Sequence, residues 1–190
     1  VGKAALKDEE VMEITADGPG VALVYKSIVD PFIGQLTVFR VVSGIIKADS
    51  EVYNVTTSTK ERFGHLYMRN GKNQEQIEEA APGALIAAVK LKHTTINNTL
   101  APKSSAKELA PIVYPNTVMS YAITAVNHGE EEKIGTGLAK LADSDPGIKI
   151  FRDPETHELI LSGMGDQHLH QTLKKLKEST KVDVNYDSPK

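Results

Sequence analysis

The 190-residue sequence contains no cysteine. This absence excludes disulfide frameworks, thiolate zinc sites, iron–sulfur clusters and cysteine nucleophiles, and it is typical of a reducing compartment. The sequence also lacks any apolar run near the roughly 18 residues that a membrane-spanning helix needs, and no signal-peptide pattern opens it. We therefore predict a protein without disulfides that acts away from membranes.

Familiar catalytic motifs are missing as well. The sequence has no G-x-x-x-x-G-K-[ST] phosphate loop, no G-x-S-x-G nucleophile elbow and no H-E-x-x-H zinc motif. The glycines of GTGLAK, residues 135–140, fall inside a predicted helix and follow no strand, so a dinucleotide-binding loop is not expected there. We predict no catalytic residue in this chain and no GTP binding by the chain alone.

The charges that are present are nearly balanced, with 22 basic and 25 acidic residues and a net charge of −3. One local basic patch stands out, formed by Lys60, Arg62, Arg69 and Lys72, with Glu61 as the single acid among them. Such a patch can bind polyanions even when the whole chain is not basic. A solvated hairpin explains the same charges equally well.

Residues 1–104 read as a β-barrel domain with an N-terminal lead-in. The lead-in is polar and ends in the turn Gly18-Pro19-Gly20, and β-rich runs separated by turns follow it. These runs predict strands, and their close spacing without helical periodicity favours a closed all-β barrel. The predicted strands cover residues 21–29, 35–42, 51–56, 62–69, 75–80 and 84–91.

A different pattern follows a proline-containing segment, residues 105–116, which we predict to be a linker. Residues 117–190 predict the order β-α-β-β-α-β, the plan of an α+β ferredoxin-like split-βαβ sandwich. The predicted strands cover residues 117–126, 148–152, 157–162 and 181–186, and the predicted helices cover 130–145 and 165–179.

The start of the second helix carries Asp166, His168 and His170, a spacing that raises the question of a metal site. Residues two apart on a helix point in different directions, so the two histidines cannot easily share one ion. Asp166 and His170 can face each other, but two ligands are fewer than the three that catalytic zinc takes. We therefore predict no metal site here.

Two motif sets resemble the second and third domains of elongation factor G. In YKSIVDPFIGQLTVFRVVSGIIKADSEVYN, residues 25–54, the matching positions are Lys26, Asp30, Pro31, Gly34, Leu36, Arg40, Val41, Ser43, Gly44, Val52, Tyr53 and Asn54. In SDPGIKIFRDPETHELILSGMGDQHLHQTLKKLK, residues 144–177, they are Asp145-Pro146, Pro154-Glu155-Thr156, the run Ser162–Gly165 and His168-Leu169.

Two departures from the family pattern accompany these matches. The family's helix start G-E-L-H-L-E is Gly165-Asp166-Gln167-His168-Leu169-His170 here. Its Gly-Asp-Thr-Leu near the end of the barrel is Asn97-Asn98-Thr99-Leu100. These departures favour an elongation-factor-G-like paralog over the housekeeping factor.

The resemblance implies a translational GTPase whose upstream GTPase domain, with its GTP and magnesium, and whose downstream domains lie outside this chain. It implies a cytoplasmic, monomeric protein that binds the ribosome, through ribosomal RNA and a small-subunit protein. The basic patch would then contact RNA phosphates. Gly165, Asp166 and His168 would form the junction that couples the third domain to the GTPase domain.

Three alternatives remain open at this level. A tetracycline-type ribosomal-protection factor shares the same architecture. A small hydrolase using His168 or His170 as a base would need a nucleophile or a metal that the sequence does not offer. A purely structural or assembly module would need no chemistry at all.

Overall fold

The computed structural model describes residues 2–30, 34–70, 73–89, 91–103 and 106–189, without the side chains of residues 29, 30, 69 and 70. The chain divides into two compact units, Val1–Ile112 and Val113–Lys190. Each unit has its own hydrophobic core.

The first unit is built from β-strands. In chain order they are β1 (Lys3–Ala5), β2 (Val11–Glu13), β3 (Val21–Asp30), β4 (Gly34–Ser43), β5 (Ile46–Lys47), β6 (Glu51–Asn54), β7 (Thr59–Arg62), β8 (Leu66–Asn70), β9 (Asn73–Ile77), β10 (Glu79–Ala80), β11 (Leu85–Val89) and β12 (Thr99–Ala101). Among the described residues, one antiparallel sheet has the order β7-β6-β12-β3-β4-β11-β8-β9.

This sheet curls into a barrel, because segments beside its two ends pair with each other. Strand β5 pairs with β10, and the N–H of Ala48 donates to the carbonyl of Glu78 at 2.7 Å. Side chains from eight of these strands, together with Phe63 and Leu91 from the loops, form one core. It contains Ala22, Val24, Phe39, Val41, Ile46, Val52, Phe63, Leu66, Ala80, Ile86, Ala88, Leu91 and Leu100.

The barrel differs from the predicted strands at several points. Strand β5 was not predicted, and the predicted strand 75–80 is divided between β9 and β10. The predicted strand 62–69 is divided between β7 and β8, because Phe63 leaves the strand edge to fill the core and stacks on Phe39 at a centroid distance of 5.3 Å. Strand β12 was not predicted, since all three of its residues are buried and show no polar–apolar alternation.

The lead-in is attached to the barrel at the end of β4. Thr15 N–H donates to Ser43 Oγ at 3.0 Å, and Gly44 N–H donates to the Thr15 carbonyl at 2.8 Å. Gly44 has a φ of 65°, and a Cβ there would lie 2.3 Å from the Pro19 carbonyl oxygen. Only glycine fits this backbone approach, which gives the Ser43-Gly44 pair its physical role.

The second unit has the order β13 (Met119–Ala125), α1 (Glu131–Ser144), β14 (Lys149–Arg152), β15 (Leu159–Gly163), α2 (Asp166–Thr180) and β16 (Val184–Asp187). Its sheet has the order β14-β15-β13-β16, and all three strand pairs are antiparallel. Sequential β13 and β14 are separated by β15, as the split-βαβ plan requires. The prediction of an all-β barrel followed by a ferredoxin-like sandwich is confirmed.

Both helices of the second unit contribute to its core, which lies between them and the sheet. Helix α1 contributes Ile134 and Leu138, and α2 contributes Leu169, Leu173 and Leu176. Neither α1 nor α2, nor any other described segment, forms a helix with the length and apolar character that a membrane-spanning segment requires.

The division between the units falls inside the segment 105–116, which the sequence marks as a linker. The part before the division packs on the first unit, where Leu109 is buried and its N–H donates to Thr99 Oγ1 at 2.9 Å. Val113, directly after the division, is 90% exposed.

Candidate nucleic-acid interface and helix junction

The hairpin of β6 and β7 carries the first half of the basic patch. Lys60 and Arg62 are exposed on one side of β7, while Glu61 between them points to the other side and is half-buried. Lys60 lies opposite Tyr53 on β6, and Arg62 lies opposite Glu51. The alternation of the strand therefore separates the two cations from the acid that interrupts them in sequence.

Glu61 is bound by the turn that follows β11. One carboxylate oxygen, Oε2, accepts from the N–H of Lys92 at 2.8 Å. The other, Oε1, accepts from the N–H of His93 at 2.9 Å and from Thr94 Oγ1 at 2.6 Å. The charge of Glu61 is thus stabilised by three donors, and the turn is fixed beside β7.

The same turn is held from behind by buried polar side chains. Asn54 is fully buried, and its Nδ2, which carries two hydrogens, lies 3.2 Å from the His93 carbonyl oxygen, 3.1 Å from Thr94 Oγ1 and 2.9 Å from Asn98 Oδ1. Asn98 occupies one of the positions where the sequence departs from the family pattern. This buried network of hydrogen bonds fixes the position of the turn relative to the barrel core.

A shallow depression of about 370 Å³ results at this edge of the barrel, and we call it the β7 pocket. Its lining residues are Glu51, Lys60, Glu61, Arg62, Lys92 and His93. Within the described part of the chain, no ion pair engages Lys60, Arg62 or Lys92. Three such cations beside one another create a local positive potential.

The structure brings together only part of the predicted basic patch. Lys60 and Arg62 share the β7 pocket, whereas the side chain of Arg69 and all of Lys72 lie outside the described residues. The sequence interpretation missed Lys92 and His93. The signal that could have found them is the short basic run KLKH at residues 90–93.

The predicted coupling residues lie at the junction between the end of α1 and the start of α2. His168 Nδ1 accepts from the N–H of Met164 at 3.1 Å, and Nε2 lies 3.0 Å from Asp145 Oδ2. Because Nδ1 is the acceptor, the neutral ring carries its proton on Nε2 and donates it to Asp145. Asp145 Oδ1 also accepts from the N–H of Gly147 at 2.9 Å. His168 therefore connects the cap of α1 to the loop before α2.

Two glycines make room for the His168 ring. A Cβ on Gly147 would lie 3.2 Å from His168 Cε1, and a Cβ on Gly163 would lie 3.2 Å from Nδ1. Gly165 precedes the helix with a φ of 153°, a conformation that favours glycine. The space beside Gly147 and Gly163 is thus occupied by the imidazole of the same unit.

A second polar network begins at Asp166, the first residue of α2. Its carboxylate accepts from the Tyr121 hydroxyl, and its Oδ2 lies 3.1 Å from His170 Nδ1. His170 Nε2 lies 3.0 Å from the Tyr186 hydroxyl, and the ring packs edge-on against Tyr121 and Tyr186. Across the described residues, no third metal ligand joins Asp166 and His170.

The hydrogen bond from the Tyr121 hydroxyl to Asp166 raises the pKa of Tyr121 to about 12, with burial and the negative charge of Asp166 acting in the same direction. The ordinary pKa of a tyrosine is 10.0. The hydrogen bond of the protonated phenol therefore stabilises the folded unit fully below about pH 10, and this stabilisation is lost as the pH rises through about 12.

We expect a pH titration followed by the near-ultraviolet absorbance of phenolate to show a tyrosine that ionises at unusually high pH, and Tyr121→Phe should remove this transition. Asp166→Asn should move that transition to lower pH, and an unmoved transition would contradict the assignment.

Comparison with known proteins adds to this geometry. The family model described as elongation factor G domain 2 matches residues 19–102, and the model described as elongation factor G domain III matches residues 114–188. The two matches follow each other in the order in which the barrel and the sandwich occur.

Individual proteins agree with the family models. The chain is 34% identical over 190 residues to an elongation factor G-like protein of Thermotoga maritima, covering 99% of this chain and 28% of that protein. It is 30% identical to a protein of Thermus thermophilus whose crystal structure is known, with a TM-score of 0.81, covering 92% of this chain and 26% of the other. The chain thus spans about a quarter of the length of these relatives. It belongs to the elongation factor G family, as a segment that comprises domains 2 and 3.

Proposed function

We propose that this chain acts within a translational GTPase, where it docks on the ribosome and couples the GTPase domain to movement of the other domains. GTP and magnesium would be bound by that GTPase domain, and the protein would be cytoplasmic and monomeric. The observation that carries the docking part is the β7 pocket, where Lys60, Arg62 and Lys92 lie together without ion pairs to other described residues.

Cations without ion pairs on a fixed barrel edge suit the phosphates of ribosomal RNA. Phosphate contacts position a protein on a nucleic acid without reading its sequence, and they release counterions, which makes the affinity depend on salt. A barrel edge is a rigid support for such contacts, because the positions of Lys92 and His93 are fixed by Glu61 and Asn54. Contact with a small-subunit protein would come from the second unit.

The coupling part of the proposal concerns Gly165, Asp166 and His168. His168 connects the α1 cap to the start of α2, so the two helices and the intervening loop should move as one body. A rigid junction of this kind can transmit a displacement from a neighbouring domain to the rest of the unit.

The docking proposal is tested by replacing Lys60, Arg62 and Lys92 together with alanine. We expect weaker binding of the protein to purified small ribosomal subunits, and a plot of log affinity against log salt that is flatter by about three units, one for each lost phosphate contact. The matched control replaces Lys3, Lys47 and Lys103, which are exposed lysines of the same unit. This control makes the same change in charge. Equal losses of affinity in the two triple variants would show that only the total charge matters, and would contradict the proposal.

A further inference from the structure

The acid inside the β7 pocket suggests a more specific arrangement. Glu61 and Glu51 both line the pocket, yet their environments differ. Glu61 accepts three hydrogen bonds from residues 92–94. Glu51 is exposed, and its carboxylate makes no hydrogen bond or ion pair with the described residues. Two carboxylates at one basic surface thus have different consequences for an incoming anion.

We propose that Lys60, Arg62, Lys92 and His93 form a single phosphate-binding pocket, and that Glu61 is its positioning residue. The ligand would be a phosphodiester group of RNA, so this inference rests on the proposed docking of the barrel on ribosomal RNA. Glu61 would not touch the phosphate. Its role would be to hold the turn that carries Lys92 and His93 beside the strand that carries Lys60 and Arg62.

The geometry gives the physical reason for this role. Lys92 and His93 are bound through their backbone N–H groups, so both side chains remain available to a ligand. The carboxylate uses both of its oxygens on the turn and is half-buried. Glu61 keeps its negative charge, and the three N–H and O–H dipoles that point at its carboxylate offset part of its repulsion of a phosphate.

The proposal predicts opposite effects of two isosteric substitutions that remove the same charge. Glu51→Gln should bind purified small ribosomal subunits about twofold more tightly, because an exposed like charge is removed. Glu61→Gln should bind about tenfold more weakly, because the amide nitrogen of the new side chain would face the N–H donors of the turn. A tenfold change in affinity corresponds to the contribution of about one charge-assisted hydrogen bond. Glu61→Gln should also flatten the slope of log affinity against log salt by about one unit, because the Lys92 contact is lost. A general loss of stability would not change this slope.

A measurement on the unsubstituted chain avoids any dependence on the folding of the variants. The amide resonances of Lys92 and His93 should shift when an RNA hairpin is added, and inorganic phosphate should move the same resonances only at much higher concentration. Tighter binding by both glutamine variants would overturn the role of Glu61 while leaving RNA docking intact. Unshifted amides at 92 and 93 would overturn the pocket, and an additional lack of effect from the triple alanine variant would overturn the docking proposal itself.

Discussion

Replacing Gly44 by alanine should lower the free energy of unfolding of the first unit by about 4 kcal/mol, at the upper end of single-substitution effects. Gly44 has a φ of 65°, where an L side chain is strained. Its Cβ would also lie 2.3 Å from the Pro19 carbonyl oxygen and 2.4 Å from that of Gly18. These atoms are backbone, so relief requires moving the lead-in away from the barrel.

The loss should appear in chemical denaturation followed by the fluorescence of the tyrosines in the first unit. Gly64→Ala is the matched control, since a Cβ there would meet only Val89 Cγ2 at 4.0 Å. This control should change the stability by less than about 1 kcal/mol. Equal stabilities of the Gly44→Ala and Gly64→Ala variants would show that the lead-in is not closely packed at residues 18 and 19.

The second large effect is expected from His168→Ala, which should destabilise the second unit by about 3 kcal/mol, since each hydrogen bond of the ring contributes about 1 kcal/mol net and removing the ring leaves a cavity and two unpaired partners. Those partners are the N–H of Met164 and Oδ2 of Asp145. A surface histidine without partners would change the stability by no more than about 1 kcal/mol, so the larger effect expected here comes from the two hydrogen bonds of the ring.

The control for His168 is His128→Ala, because His128 is exposed and forms no side-chain hydrogen bond among the described residues. It should leave the unfolding transition unchanged within about 0.5 kcal/mol. If both variants unfold at the same denaturant concentration, the ring of His168 is not a structural connection. The proposed coupling role needs a separate readout, ribosome-stimulated GTP turnover of a full-length protein at a temperature where the variant remains folded.

Several elements could be predicted from the sequence because their patterns are local. The apolar spacing in 130–145 predicted a helix that the structure places at Glu131–Ser144, and alternation in 181–186 predicted the strand Val184–Asp187. Local patterns failed where a residue serves the core of the whole barrel. Phe63 breaks the predicted strand 62–69 because the core needs its ring, and β12 shows no alternation because all of its residues are buried.

The sequence by itself determined the fold class and the order of the two domains, and its motifs carried the resemblance to the elongation factor G family, since these depend on periodicity and on motifs within short segments. It also determined that Lys60 and Arg62 are cations beside a single acid. Only the tertiary structure decided that Glu61 turns away from them and binds the turn at Lys92 and His93. The local sequence does not predict this contact, because closing the barrel brings together two segments that are far apart in sequence and half-buries the carboxylate between them.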